Sequence, residues 1–131
     1  EVVALIRRVQ TAGYKTGIVT NGHADVQRAK LEACNATDLF GTNIVVSGEQ
    51  PEWKPAPSIF RTALAGLGAR AEETIMVGDS LKADVAGGAN AGLLATVWVR
   101  GDAAGPGNST PKPTFEVESV LELERVLADL N

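Results

Sequence analysis

The chain has 131 residues, the usual size of one domain, and its 44 % apolar and 21 % charged content excludes a disordered polymer. Twelve basic residues against sixteen acidic give a net charge of −4. No Lys/Arg cluster follows a phosphodiester backbone and no apolar run approaches the ~20 residues of a membrane span, so neither nucleic acid nor membrane is an expected partner.

In chain order, the first segment reads as a helix. Val2, Leu5, Ile6 and Val9 share a stripe, and Gly13 suits the left-handed position past the last turn. A chain that opens inside a helix, on Glu1 and without an initiator methionine, is expected to be a fragment or a processed chain. Residues 16–20 (TGIVT) form a strand ending in the turn-like pair Asn21-Gly22, and residues 24–34 a second helix. Cys34, at its end, is expected as buried filler; alone it forms no internal disulfide, which makes the cytosol (a cytoplasmic setting) the default.

A second strand covers 43–47. Beyond a polar loop at 49–56, Pro57 suits a first helical position, and Ile59, Phe60, Ala63, Leu64 and Leu67 repeat at helical spacing. Residues 74–78 read as a third strand and 81–91 as a helix, in which adjacent Gly87 and Gly88 suggest close packing on a sheet. Residues 95–99 are the fourth strand, with Trp98 a core residue by default. The stretch 101–113 is a surface loop rather than a domain boundary. The segment 114–131 carries the whole net negative charge and ends in a helix opened by the capping box Ser119…Glu122, with Leu123, Leu127 and Leu130 inside.

Strands separated by single helices give β-α-β spacing, and apolar, β-branched strands imply a parallel sheet covered on both faces. The expected fold class is therefore α/β: a three-layer α/β/α sandwich with a Rossmann-like parallel sheet, forming one domain over residues 1–131. No G-x-G-x-x-G follows any strand, which speaks against a dinucleotide.

Ligands of a parallel sheet bind at the carboxyl ends of its strands. Those ends supply Thr20, Asn21, Asp79 and Ser80, and the loop after the second strand delivers Lys54. A hydroxyl, an amide, an ammonium and a carboxylate on one rim suit a phosphate and a divalent metal. Each residue also has an ordinary structural use. Thr20 can be strand filler, Asn21 a turn residue and Lys54 a solvated loop lysine; Asp79 or Ser80 can cap the next helix. Asp84 can approach the site as a partner either of Lys54 or of metal-bound water. His23 reads as a turn residue at the rim, and Glu49 and Trp53 as edges of a pocket or plain loop residues.

Ile18-Val19-Thr20-Asn21-Gly22, Lys54-Pro55 and the run GDSLKADVAGGANAGL resemble, in order and spacing, the second to fourth motifs of the haloacid dehalogenase-like superfamily of phosphohydrolases. Within it, KLEAC, VVSGEQ, KPAPSIF and LLATVWV resemble sugar phosphatases of the sialic acid pathway, which implies an N-acylneuraminate phosphate as the phosphorylated small-molecule substrate. The resemblance implies a magnesium-dependent phosphomonoester hydrolase working through an aspartyl phosphate. It implies Mg2+ held by Asp79, phosphate bound by Thr20, Asn21 and Lys54, catalytic roles for Lys54, Thr20 and Asp79, and supporting roles for Ser80 and Asp84.

Such enzymes begin with a central strand bearing D-x-D-x-T/V, followed by a cap that selects the substrate. No D-x-D occurs in this chain. The nucleophile strand and cap are therefore expected from the same parent chain or a second chain, and these 131 residues alone are expected to be inactive. The strands at 16–20 and 75–78 are expected to flank the nucleophile strand. The alternatives are a non-enzymatic phosphate-binding or protein-interaction domain of this fold and, less compatible with GDSLKADVAGGANAG, a response-regulator-like receiver.

Overall fold

The computed structural model describes residues 1–107 and 111–131. The elements are α1 (Val2–Thr11), β1 (Ile18–Thr20), α2 (Ala24–Ala33), α3 (Ala36–Phe40), β2 (Ile44–Val46), α4 (Pro57–Leu67), β3 (Ile75–Gly78), α5 (Ala86–Asn90), β4 (Ala95–Val99), β5 (Phe115–Val117) and α6 (Leu123–Leu130). Every strand pairing is parallel. Leu5 and Val9 are the buried members of the α1 stripe, and Pro57 opens α4 while Gly68, at φ 64°, closes it. Both outcomes follow from the apolar spacing and the end residues.

The sheet is in two parts. Among the described residues β1 pairs only with β2, placing Ile18 beside Ile44 and Thr20 beside Val46. β3 pairs with β4 and β4 with β5, running from Ile75 beside Ala95 to Val99 beside Val117. No ladder joins β1 to β3. Between them lies a cavity of about 570 Å³ lined by Ile18 and Val19 on one side and Ile75, Met76 and Val77 on the other. The strand order therefore agrees with the expectation that 16–20 and 75–78 flank a further strand.

The apolar core divides along the same line. Ala36, Ile44 and Val46 cluster with Ile18, Leu31 and Phe40 around β1 and β2. Val97, Val117 and Val126 cluster with Ile75, Val77 and Leu130 around the other three strands. Alternation along β3 and β4 turns Ile75, Val77 and Val97 towards α6, and Met76 and Thr96 to the opposite face, against α5. A Cβ at Gly88 would lie 2.8 Å from Thr96 Cγ2, and one at Gly87 would lie 2.5 Å from the Phe60 ring. The two glycines thus let α5 pack closely on the sheet and on α4. Helices cover both faces, the α/β/α arrangement expected.

Four features depart from the sequence reading. A fifth strand, β5, lies within the C-terminal segment. Helix α2 ends at Cys34; Asn35 then takes left-handed angles (φ 56°) that its short polar side chain tolerates, and the short α3 follows. Cys34 is exposed, not buried filler, because it faces solvent at that helix end, donating its thiol to Leu31 O at 3.5 Å. The helix expected over 81–91 is a π turn at Leu81–Val85 followed by α5. Of the loop expected at 101–113, residues 108–110 lie outside the described residues. The Ser119…Glu122 capping box is present, and Trp98 is buried. No helix among the described residues is long and apolar enough to cross a membrane.

Candidate active site

Parallel strands bring the ends of β1 and β3 to one rim. Immediately after β1, the Asn21 side chain pairs with the main chain of Lys54 in both directions. Its Nδ2 donates to Lys54 O at 3.2 Å, and Lys54 N donates to Asn21 Oδ1 at 3.0 Å. The amide thereby fastens the loop after β2 to the end of β1. With its backbone so held, the Lys54 side chain turns inward, where Nζ donates to Val19 O at 2.9 Å and to Asp84 Oδ1 at 2.5 Å. The paired side chains are only 9 % and 6 % exposed.

Removing two charges from water is costly, and it is offset here by the close contact and the further hydrogen bonds each partner makes. An ammonium has three N–H donors. Among the described residues two are engaged, which leaves one for an anion.

Asp84 reaches Lys54 because of the π turn. Ser80 O accepts from both Asp84 N at 2.9 Å and Val85 N at 3.1 Å, widening the first turn, and Ser80 Oγ caps it by accepting from Ala83 N at 3.0 Å. Asp84 Oδ2 folds back to accept from Ser80 N at 3.1 Å. Gly78 makes this possible, since a Cβ there would fall within the Asp84 carboxylate. Of the two uses open to Asp84, the structure takes the ion pair with Lys54. Of the two candidate caps, it takes Ser80.

Asp79 is fixed through its backbone: its carbonyl accepts from Trp98 Nε1 at 3.1 Å. Its side chain is exposed, and no hydrogen bond or ion pair reaches the carboxylate among the described residues. Magnesium takes one or two carboxylates and fills its octahedron with water and phosphate oxygens. An unengaged carboxylate at the strand end fits one place in such a shell. Among the described residues no three His, Cys, Asp or Glu side chains gather to complete it.

Thr20 Oγ1 accepts from Gln27 Nε2 at 2.6 Å. Gln27 belongs to none of the motifs that mark the rim. The available signal was its place in the first turn of α2, where side chains tilt back towards the helix start and hence towards the end of β1. The turn between is held from β2, because Gly22 N donates to the buried Ser47 hydroxyl at 2.8 Å and Gly48 N donates to Gly22 O at 3.0 Å. Around the rim, the His23 and Trp53 rings meet edge to face at 5.9 Å. Arg28 donates to both oxygens of Glu49, at 3.0 and 2.7 Å, and holds that carboxyl below its ordinary range.

Residues 1–92 match the haloacid dehalogenase-like hydrolase family. The chain is 46 % identical over 114 residues to N-acylneuraminate-9-phosphatase of Rattus norvegicus, covering 87 % of this chain and 46 % of that protein. Among solved structures, a HAD phosphatase from Thermococcus onnurineus superposes with a TM-score of 0.82 at 31 % identity, covering 95 % of this chain and 55 % of that one. The HAD-hydrolase YfnB from Bacillus subtilis, bound to magnesium, superposes with a TM-score of 0.83 at 33 % identity, covering 95 % and 53 %. This chain spans about half the length of the relatives it matches.

Proposed function

We propose that this chain, which belongs to the haloacid dehalogenase-like hydrolase family, is the phosphate-handling core of a magnesium-dependent sugar-phosphate phosphatase. The observation that carries this reading is the inward-turned Lys54. It is a desolvated ammonium, held by Asp84 and Val19 O, with one N–H left for an anion at the rim where β1 and β3 end. In that reading Lys54 offsets charge on the phosphoryl oxygens and the Thr20 hydroxyl donates to one of them. Asn21 keeps Lys54 in place through its amide, and the second hydrogen of Nδ2 is a donor for the anion. Asp84 and Ser80 hold the lysine from behind, and Asp79 supplies a metal ligand.

The nucleophile comes from a D-x-D strand of the parent chain, or of a second chain, entering the slot between β1 and β3. Its first aspartate attacks phosphorus as a carboxylate, while the second, in its protonated carboxylic acid form, gives its proton to the departing sugar oxygen. Water then hydrolyses the aspartyl phosphate. Bound at Asp79, magnesium would supply compensation for the charge on the phosphoryl group. A cap from the parent chain selects the sugar. The likeness to N-acylneuraminate-9-phosphatase supports N-acylneuraminate 9-phosphate as the substrate.

A second reading, a phosphate-binding domain without catalysis, is favoured by the absence of any D-x-D from the chain. Kinetics of the full-length protein with magnesium titration separate the two. Phosphate release should fall by the equivalent of about 3 kcal/mol or more in Lys54→Ala, as for other aimed electrostatic groups. Asp79→Asn should chiefly raise the magnesium requirement. Binding of phosphate without turnover in the full-length wild type would favour the second reading.

A further inference from the structure

We propose that Gln27 is a positioning residue for Thr20, fixing its hydroxyl as a donor to the bound phosphoryl group; the inference rests on the phosphatase reading. A threonine hydroxyl has one proton and two lone pairs. At the end of β1, Gln27 Nε2 lies 2.6 Å from Thr20 Oγ1 and is the donor, which fills one lone pair and leaves the Thr20 proton to be given elsewhere. An isolated threonine rotor can turn its proton towards or away from an anion. One that already accepts from an amide is biased to donate outward.

The amide is held firmly enough to do this. The Gln27 stem lies over Gly22, where a Cβ would come within 2.5 Å of Gln27 Cγ and 2.6 Å of Cδ. Gly22 in turn is bonded on both sides, to the Ser47 hydroxyl and to Gly48 N. The β2 end, the turn and the first turn of α2 therefore form one support, whose endpoint is the proton direction at Thr20. This gives Ser47 and Gly22 a part in the site without any contact to substrate.

The test is a double-mutant cycle in the full-length protein, read as kcat/KM on a phosphomonoester and as competitive inhibition by inorganic phosphate. Gln27→Met removes the donor while keeping the stem; loss of one neutral hydrogen bond predicts weaker inhibition and lower kcat/KM, each by roughly three- to tenfold. In a Thr20→Val background the same substitution should change neither, because there is no hydroxyl left to orient. Gln27→Ala, which shortens the side chain, should show the same loss of effect and guards against a packing artefact of methionine.

Multiplicative losses in the double variant would show that Gln27 acts independently of Thr20 and overturn the inference. A wild-type response in Gln27→Met, where Thr20→Val is impaired, would overturn it while leaving the phosphatase reading intact. A full-length wild type with neither turnover nor phosphate inhibition would overturn both.

Discussion

Lys54 and Asp84, thirty positions apart, meet at 2.5 Å with both side chains almost fully buried. Neither would be stable there alone. The lysine arrives through a loop fastened by Asn21, and the aspartate through a π turn closed by Ser80 and made roomy by Gly78. The pair therefore connects the two halves of the divided sheet at the rim.

Breaking this pair from the acidic side strands an ammonium in a desolvated site. Asp84→Ala should cost about 3–5 kcal/mol of stability in the full-length protein, the usual penalty for an uncompensated buried charge. Gly78→Ala should act in the same direction without touching either charge, because its Cβ displaces the Asp84 carboxylate. Denaturant unfolding measures both. A Gly78→Ala variant as stable as wild type, with phosphate inhibition unchanged, would contradict the close approach described.

Acid should loosen the start of α6. Backbone N–H groups of Ser119 and Glu118 hold the Glu122 carboxyl below its ordinary range, and Arg125 adds to this. A lowered folded value means that this contribution is present above the unfolded pKa and is lost as pH falls through the folded one. The protection factor of the Glu118 and Ser119 amides, exchange being taken relative to the intrinsic rate at each pH, should fall on acidification in the wild type. It should stay level in Glu122→Gln, which keeps an acceptor that does not titrate. Identical acid profiles for the two would remove Glu122 from the cap.

The facing edges of β1 and β3 should be the least protected strand backbone in the isolated 131-residue chain. Unpaired strand N–H and C=O groups that are buried cost roughly 1–3 kcal/mol each, and open edges recruit other chains. Hydrogen exchange at Val19, Ile75, Met76 and Val77 should be faster in the isolated chain than in the full-length protein, whereas Ile18 N, which already donates to Asn43 O, should change less. Equal protection of all four in a demonstrated monomer would contradict a slot that accepts a strand.

The elements that sequence alone reveals are those whose signal is local and repeated. β4 stands at 95–99 as read, because four apolar residues and one β-branched threonine form a run between Gly92 and Gly101, and α4 runs between its proline and its glycine. The Ser119…Glu122 box announces α6 because both partners lie within one turn. β5 escapes notice: three residues, Phe115-Glu116-Val117, carry too little periodicity. Its place is set from outside, by Thr114 bonding to Thr96 and by parallel pairing with β4. The π turn is equally silent, since one extra residue in a turn leaves no mark on composition. At the rim, residue types and strand ends identify Lys54, Asp79 and Thr20 as candidates. Which oxygen faces which nitrogen, as in Asn21 against the Lys54 backbone or Gln27 against Thr20, depends on loop paths that no spacing encodes.

In the proposed function these residues form one part of a phosphatase site whose attacking carboxylate belongs to a strand in the slot between β1 and β3. The most direct test is release of inorganic phosphate from N-acylneuraminate 9-phosphate with magnesium, measured for the 131-residue chain alone and for the full-length protein carrying the D-x-D strand. The chain alone should show no turnover above background, and the full-length protein should show turnover that falls sharply in Lys54→Ala. Turnover by the chain alone that is abolished by Asp79→Asn would rule out a nucleophile from the slot, because a residue of these 131 would then attack phosphorus.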